Sequence, residues 1–205
     1  LGDARVRRAL SMALDRRAML VNVFDTLGTL GSGPYPGALA DTTVTPPPFD
    51  RGHASALLDS AGWAEAANGV RRKNGQPLAF SLIVPTSSRT RMRYAVLIQE
   101  QLKAIGTSVA IESMEFAAFN ERQMARAFDA ALMSTAADPS AAAVKQSWAT
   151  SGTAKGGQNY VSYSNPAFDV LIDSALATFD EARARAYARR AYQLLVDDAP
   201  AVWLY

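Results

Sequence analysis

Cysteine is absent from the 205 residues, and histidine occurs once, at His53. Without thiols there is no disulfide, no thiolate nucleophile and no zinc–thiolate site, while export and cytosol both stay open. A lone imidazole cannot build a clustered metal site. It is also the only base available to a serine triad, and no Gly-x-Ser-x-Gly turn accompanies it, which argues against hydrolase chemistry. A Gly-x-x-x-x-Gly-Lys phosphate loop is missing too, and Lys155-Gly156-Gly157 reads as a hinge-like loop instead. No apolar run reaches the roughly 20 residues that span a bilayer, and no signal peptide opens the chain. Asp197 and Asp198, adjacent on a helix, point about 100° apart and cannot share a substrate, so they read as surface charge. No cofactor is expected.

What is present is enough apolar material for a core: 49% of residues are hydrophobic. The formal charge is +2, from 21 cationic and 19 acidic side chains, which is close to balance and implies no nucleic acid. The basic clusters Arg5-Arg7-Arg8, Arg71-Arg72-Lys73 and Arg183-Arg185-Arg189-Arg190 fall in three separate elements and read as solvated faces. The chain opens on Leu1-Gly2-Asp3 and closes on the apolar run Ala201 to Tyr205, so it reads as a piece of something longer.

The organising stretch runs from Leu78 to Asp138. Leu78, Phe80, Leu82 and Val84 alternate as in a strand that ends at Pro85-Thr86-Ser87-Ser88. Tyr94, Leu97, Ile98, Leu102 and Ile105 then mark a helix from about Arg89, with Gly106 as its C-cap. A strand through Val109 and Ile111, a short helix through Phe116, Phe119 and Met124, and a third strand from Phe128 to Ser134 complete a β-α-β-α-β unit. Such crossovers place strands parallel, so the three exits, at Pro85, Met114 and Ser134, open on one edge, where ligands of open α/β sheets bind.

Before this unit, Asp3 predicts one long helix through Val6, Leu10, Leu14, Val21 and Phe24 to Gly28. The glycine- and proline-rich segment 28–48 predicts a long loop, functional or mobile. Asp50 opens a helix through Ala54, Leu57 and Leu58. Val70 to Leu78, around Asn74-Gly75, predicts a hairpin whose loop exceeds two residues. After the unit come an alanine-rich helix around Val144 and Trp148, a flexible loop over Ser151 to Gln158, a helix starting at Pro166, and a last helix from Asp180. That last helix carries the stripe Ala184, Tyr187, Ala191, Leu194 and Leu195, and Pro200 ends it before a final strand.

The chemistry on offer is a polar binding edge. Thr86, Ser87 and Ser88 follow the first strand, and Ser134, Thr135 and Asp138 follow the third; short hydroxyls at strand ends serve as ligand donors or as turn-formers. Tyr35, Trp148, Tyr160 and Tyr163 lie in or beside the irregular loops, where each either touches ligand or belongs to the core.

Several stretches, in order along nearly the whole chain, resemble one family. These are Asp3 to Leu10 continuing through Ala13 to Arg16, Phe49-Asp50 through Ala56-Leu57-Leu58 to Ala61-Gly62-Trp63, Ile98 to Lys103 with Ile105-Gly106, Phe128 to Leu132, Asn159-Tyr160 with Ser164-Asn165-Pro166, and Asp198-Ala199-Pro200. The chain thus resembles the second lobe of extracytoplasmic solute-binding proteins of ABC importers, peptide and nickel class. The resemblance implies an α/β, periplasmic-binding-protein-like lobe with a central mixed sheet flanked by helices, residues 1–205 forming a single lobe. It further implies a monomer that captures a peptide or other small solute in the periplasm or outside the cytoplasm, with a lipid anchor in the full-length protein as one possibility. Such a protein hands its solute to a membrane permease and is not an enzyme. A ligand-sensing domain of a transcriptional regulator, or an enzyme using the edge hydroxyls, are the alternatives. Ligand contacts are expected from Tyr35, Ser87, Ser134, Thr135, Asp138, Trp148, Asn159 and Tyr160. Peptide-binding relatives place an Asp four residues ahead of a proline after the third strand. Counting back from Pro139 gives Thr135, so sugars, modified peptides and other neutral solutes stand beside peptides.

Overall fold

The computed structural model describes residues 1–31, 33, 43–134, 138 and 140–205. These form two compact units: Leu1–Leu30 with Pro47–Ser134 and Leu204–Tyr205, and Gly31–Pro46 with Thr135–Trp203.

The first unit contains α1 (Ala4–Met12), α2 (Arg16–Phe24), α3 (Arg51–Ser60), a hairpin of β1 (Arg72–Lys73) and β2 (Gln76–Pro77), then β3 (Ala79–Pro85), α4 (Arg89–Lys103), β4 (Ser108–Met114), α5 (Phe116–Met124) and β5 (Ala130–Ala131). The strand order β4-β3-β5 is parallel throughout, with β3 and β4 in register from Ala79↔Ser108 to Pro85↔Met114. Leu82, Ile83, Val84 and Pro85 are all buried, as befits a central strand covered on both faces. The α/β architecture and the common strand direction agree with the sequence reading.

The differences have local causes. The single long helix is two helices, because Asp15 starts a new one: its carboxylate accepts from the Ala18 amide at 2.9 Å, and its own amide donates to Gln101 Oε1 at 2.6 Å. The hairpin loop has two residues, since Lys73 pairs with Gln76 and both Asn74 (φ 51°) and Gly75 (φ 78°) take the positive φ of a tight turn. The third strand pairs only at Ala130 and Ala131. Ahead of it, the Asp129 carboxylate takes the place of a backbone acceptor and binds the Ser81 amide at 2.9 Å; after it, the Leu132 amide still reaches the Ile83 carbonyl at 3.1 Å. Residues 201–205 form no strand; Tyr205 instead stacks on Tyr94 with ring centroids 4.8 Å apart.

Arg71 corrects the reading of its cluster as a solvated face. It is 1% exposed, and its guanidinium donates to the Ile105 carbonyl (3.0 Å), the Trp63 carbonyl (2.7 Å), the Asp59 carboxylate and the Glu65 carboxylate (3.1 Å). Its backbone amide donates to the Gly106 carbonyl at 2.8 Å, and its carbonyl accepts from the Leu78 amide at 2.7 Å.

The second unit contains α6 (Ala141–Trp148), a 3₁₀ turn (Thr150–Thr153), α7 (Pro166–Ala177) and α8 (Glu181–Asp198). Its core joins Val144, Phe168, Ile172, Ala191, Tyr192, Leu195 and Val196. The buried stripe of α8 is therefore Ala188, Ala191, Tyr192, Leu195 and Val196, about one residue round from the predicted one, with Tyr192 taking the place expected of Tyr187. Val44, from the long loop, is buried in this core. The loop expected to be flexible is packed: a Cβ on Gly152 would lie 2.2 Å from the Gln146 carbonyl. Asp198 is not merely surface charge, since it accepts from the Tyr163 hydroxyl (2.7 Å) and the Asn165 amide (2.8 Å).

Arg71→Ala strands the buried Ile105 carbonyl and the part-buried Trp63 carbonyl, and is expected to cost on the order of 3 kcal/mol in urea unfolding. A loss indistinguishable from that of an exposed arginine would contradict its place in the fold. Tyr94 is buried with a hydroxyl that has no partner among the described residues, and burial, with Tyr205 beside it, pushes its phenol up to about 12. A folded pKa above the unfolded value means the stability tied to the neutral phenol is complete below about pH 10 and is lost as pH rises towards 12. Tyr94→Phe should leave stability at neutral pH unchanged or higher by about 1 kcal/mol, and should move alkaline unfolding to higher pH.

Candidate functional site

In a parallel sheet every strand leaves at the same end, so β3, β4 and β5 deliver their following loops to one edge of the first unit. The Thr86 amide donates to the Met114 carbonyl at 2.8 Å and so extends the pairing one step past the strands. That bond sets Thr86 and Ser87 beside Glu115 and Phe116. Thr86 and Ser87 are exposed, whereas Ser88 is committed: its hydroxyl caps α4 by accepting from the Arg91 amide at 3.3 Å. Of these three hydroxyls, one is thus spent on a helix cap and two are left exposed. Ser134, beyond β5, is exposed at the same edge.

The remaining candidates belong to the second unit. Asn159 is 0% exposed, and its side chain is spent on backbone: Nδ2 donates to the Ala149 carbonyl (3.0 Å), the Tyr163 carbonyl (2.8 Å) and, at 3.3 Å, the Trp148 carbonyl, while Oδ1 accepts from the Tyr163 amide (3.0 Å). It ties the end of α6 to the chain entering α7. Tyr163, weighed alongside, is buried with its ring 5.7 Å from that of Phe168, and so belongs to the core. Trp148 is partly buried against that core, its ring 6.1 Å from that of Trp203. Tyr160 is partly exposed. Asp138 is exposed, and the Ser140 amide at 2.8 Å, with the Ser140 hydroxyl, holds its carboxyl below the usual carboxylate range, so it shapes the turn into α6. Tyr35 and Thr135 lie outside the described residues.

Two groups at the edge escaped the sequence reading, Glu115 and Phe116. The short helix marked by Phe116, Phe119 and Met124 is present as α5, but of the three only Phe119 is buried; Phe116 is 54% exposed. The signal that could have found them is position alone, since they follow directly on the strand exit at Met114. His53, the only imidazole of the sequence, is exposed in the first turn of α3.

The sequence profile of "Bacterial extracellular solute-binding proteins, family 5 Middle" matches residues 1–158. The chain is 31% identical over 206 residues to Protein XP55 of Streptomyces lividans, which covers 96% of this chain and 36% of that protein. The oligopeptide-binding protein AppA of Bacillus subtilis, solved in complex with a nonapeptide, superposes with a TM-score of 0.89 at 30% identity, covering 99% of this chain and 41% of AppA. NikA from Brucella suis, solved in complex with Fe(III)-EDTA, superposes with a TM-score of 0.82 at 26% identity, covering 98% of this chain and 41% of NikA. The chain therefore spans well under half the length of each relative.

Asn159→Ala removes a buried amide that serves four backbone groups and is expected to cost about 2–3 kcal/mol of stability in thermal or urea unfolding. Unchanged stability together with weakened solute binding by the full-length protein would instead make Asn159 a ligand group.

Proposed function

Because the chain belongs to the bacterial extracellular solute-binding proteins of family 5, we propose that residues 1–205 form one lobe of a two-lobed protein that closes on a solute outside the cytoplasm. The solute, a peptide or similar small molecule, passes to the membrane permease of an ABC importer, and no covalent chemistry takes place. The observation that carries this reading is the parallel β4-β3-β5 sheet, whose exits deliver exposed hydroxyls of Thr86, Ser87 and Ser134, with the Phe116 ring, to one edge. The nonapeptide in AppA supports a peptide, and the chelate in NikA supports a wider range of solutes within the same fold. Thr135, Asp138, Tyr35, Tyr160 and Trp148 are the further contacts proposed, while the saturated amide of Asn159 is a positioning group. An unmet need for the other lobe follows: a solute gripped from two sides loses much of its binding when one side is removed.

Mass spectrometry of small molecules that co-purify with the full-length protein identifies the solute. Calorimetry with that solute should give micromolar affinity for the full-length protein, a free energy of roughly 8 kcal/mol, and about millimolar affinity for residues 1–205 alone. Micromolar binding by the isolated residues, or recovery of a chemically altered solute, would contradict the proposal.

A further inference from the structure

At the end of the sheet opposite the strand exits, the first unit holds a cavity of about 390 Å³ that solute capture leaves unused. Trp63, Phe80 and Phe128 wall it, with Val6, Pro77 and Leu78 between them. These walls are held in place. The Arg71 guanidinium fixes the Trp63 carbonyl at 2.7 Å, and Phe80 sits in β3 opposite Val109. The Leu78 amide donates to the Arg71 carbonyl at 2.7 Å, and the Leu78 carbonyl accepts from the Ser108 amide at 2.9 Å. A cavity framed in this way cannot close by collapse, and its three half-buried aromatic side chains leave apolar surface that water covers unfavourably. The charged side chains that line it are already engaged: Asp3 with the Arg5 guanidinium at 2.7 Å, Lys73 with the Ala61 carbonyl at 2.7 Å, and Asp129 with the Ser81 amide at 2.9 Å. The occupant that fits is uncharged and apolar.

The polypeptide itself runs along this cavity. Leu1 and Gly2 line it, and the Arg7 guanidinium holds their carbonyls at 3.1 and 2.8 Å, which fixes the backbone at the rim. More than half of each matched relative lies outside the stretch that residues 1–205 cover, and taking this chain as one lobe of such a protein is the only part of the reading above that the next step uses. A solute is the poorer occupant, because ligands of open α/β sheets bind beyond the strand exits, whereas this cavity lies where β3 begins. We propose that the segment immediately ahead of Leu1 in the full-length protein fills the cavity. It lies extended, with apolar side chains against Trp63, Phe80 and Phe128, and ties the preceding polypeptide to this lobe at the end remote from the solute.

The test uses the full-length protein with photoreactive p-benzoylphenylalanine in place of Trp63 or, in a second variant, of Phe128. Cross-links located by tandem mass spectrometry should fall within about five residues ahead of Leu1, the reach of an extended chain across a cavity roughly 10 Å wide. Cross-links to a more distant part of the chain or to a second copy, or none from either position, overturn the assignment and leave solute capture at the strand exits standing. A cross-link to co-purified solute overturns both. A measurement on the unsubstituted full-length protein decides the matter if either variant fails to fold: Phe80 and Phe128 should resist hydroxyl-radical labelling as fully as the buried Phe119 and Phe168. Faster labelling of Phe80 or Phe128 than of those two means an open cavity and overturns the proposal.

Discussion

A single buried guanidinium fixes where the two long strands of the first unit begin. Arg71 gathers the end of α3, through Asp59 and the Trp63 carbonyl, and the turn ahead of β4, through the Ile105 carbonyl. Its own backbone joins the Gly106 carbonyl on one side and the Leu78 amide on the other, and the Ser108 amide then donates to the Leu78 carbonyl at 2.9 Å. The register Ala79↔Ser108 follows from that knot. Burying a charge is costly, and here the cost is contained because the two carboxylates that meet it remain largely in water while the carbonyls inside satisfy the other donors.

With both strands started together and seven residues long, they finish together, at Pro85 and Met114. At about 3.3 Å per residue the pinned end and the exit end lie roughly 20 Å apart, so the residues that secure the register are not those that would meet a solute. This division lets the exits carry exposed and uncapped groups such as Ser87 and Glu115 without weakening the sheet. The second unit repeats the pattern on a smaller scale, with Asn159 and Asp198 holding its loops and Trp148 and Tyr160 left partly accessible.

Local chemistry was legible in the sequence. Helix starts at Asp3, Asp50, Asn165 and Asp180 need only a side-chain oxygen two or three residues from a free amide, and each makes that bond. The β-α-β-α-β order was legible for the same reason, since hydrophobic period changes within short windows. What was hidden depends on partners far along the chain: Arg71 looked like one of three surface cations until Ile105 was beside it. Asn159 looked like an accessible loop amide until Ala149 and Tyr163 closed round it. The break at Asp15 was hidden differently, because the apolar spacing of two successive helices happened to stay in phase across it. At the candidate edge, the exposed hydroxyls were legible from their place after strands, whereas the exposure of Phe116 was not, because a periodic count places it on a helix without telling the last buried turn from the first exposed one.

The central claim, that the common exit of β3, β4 and β5 is the face that meets a solute, is tested most directly by a crystal structure of the full-length protein with its co-purified solute. The account predicts solute atoms within about 4 Å of the residues that follow these strands, Ser87, Phe116 and Ser134 among them. Solute lodged instead at the opposite end of the sheet, against Trp63, Phe80 and Phe128, would contradict it.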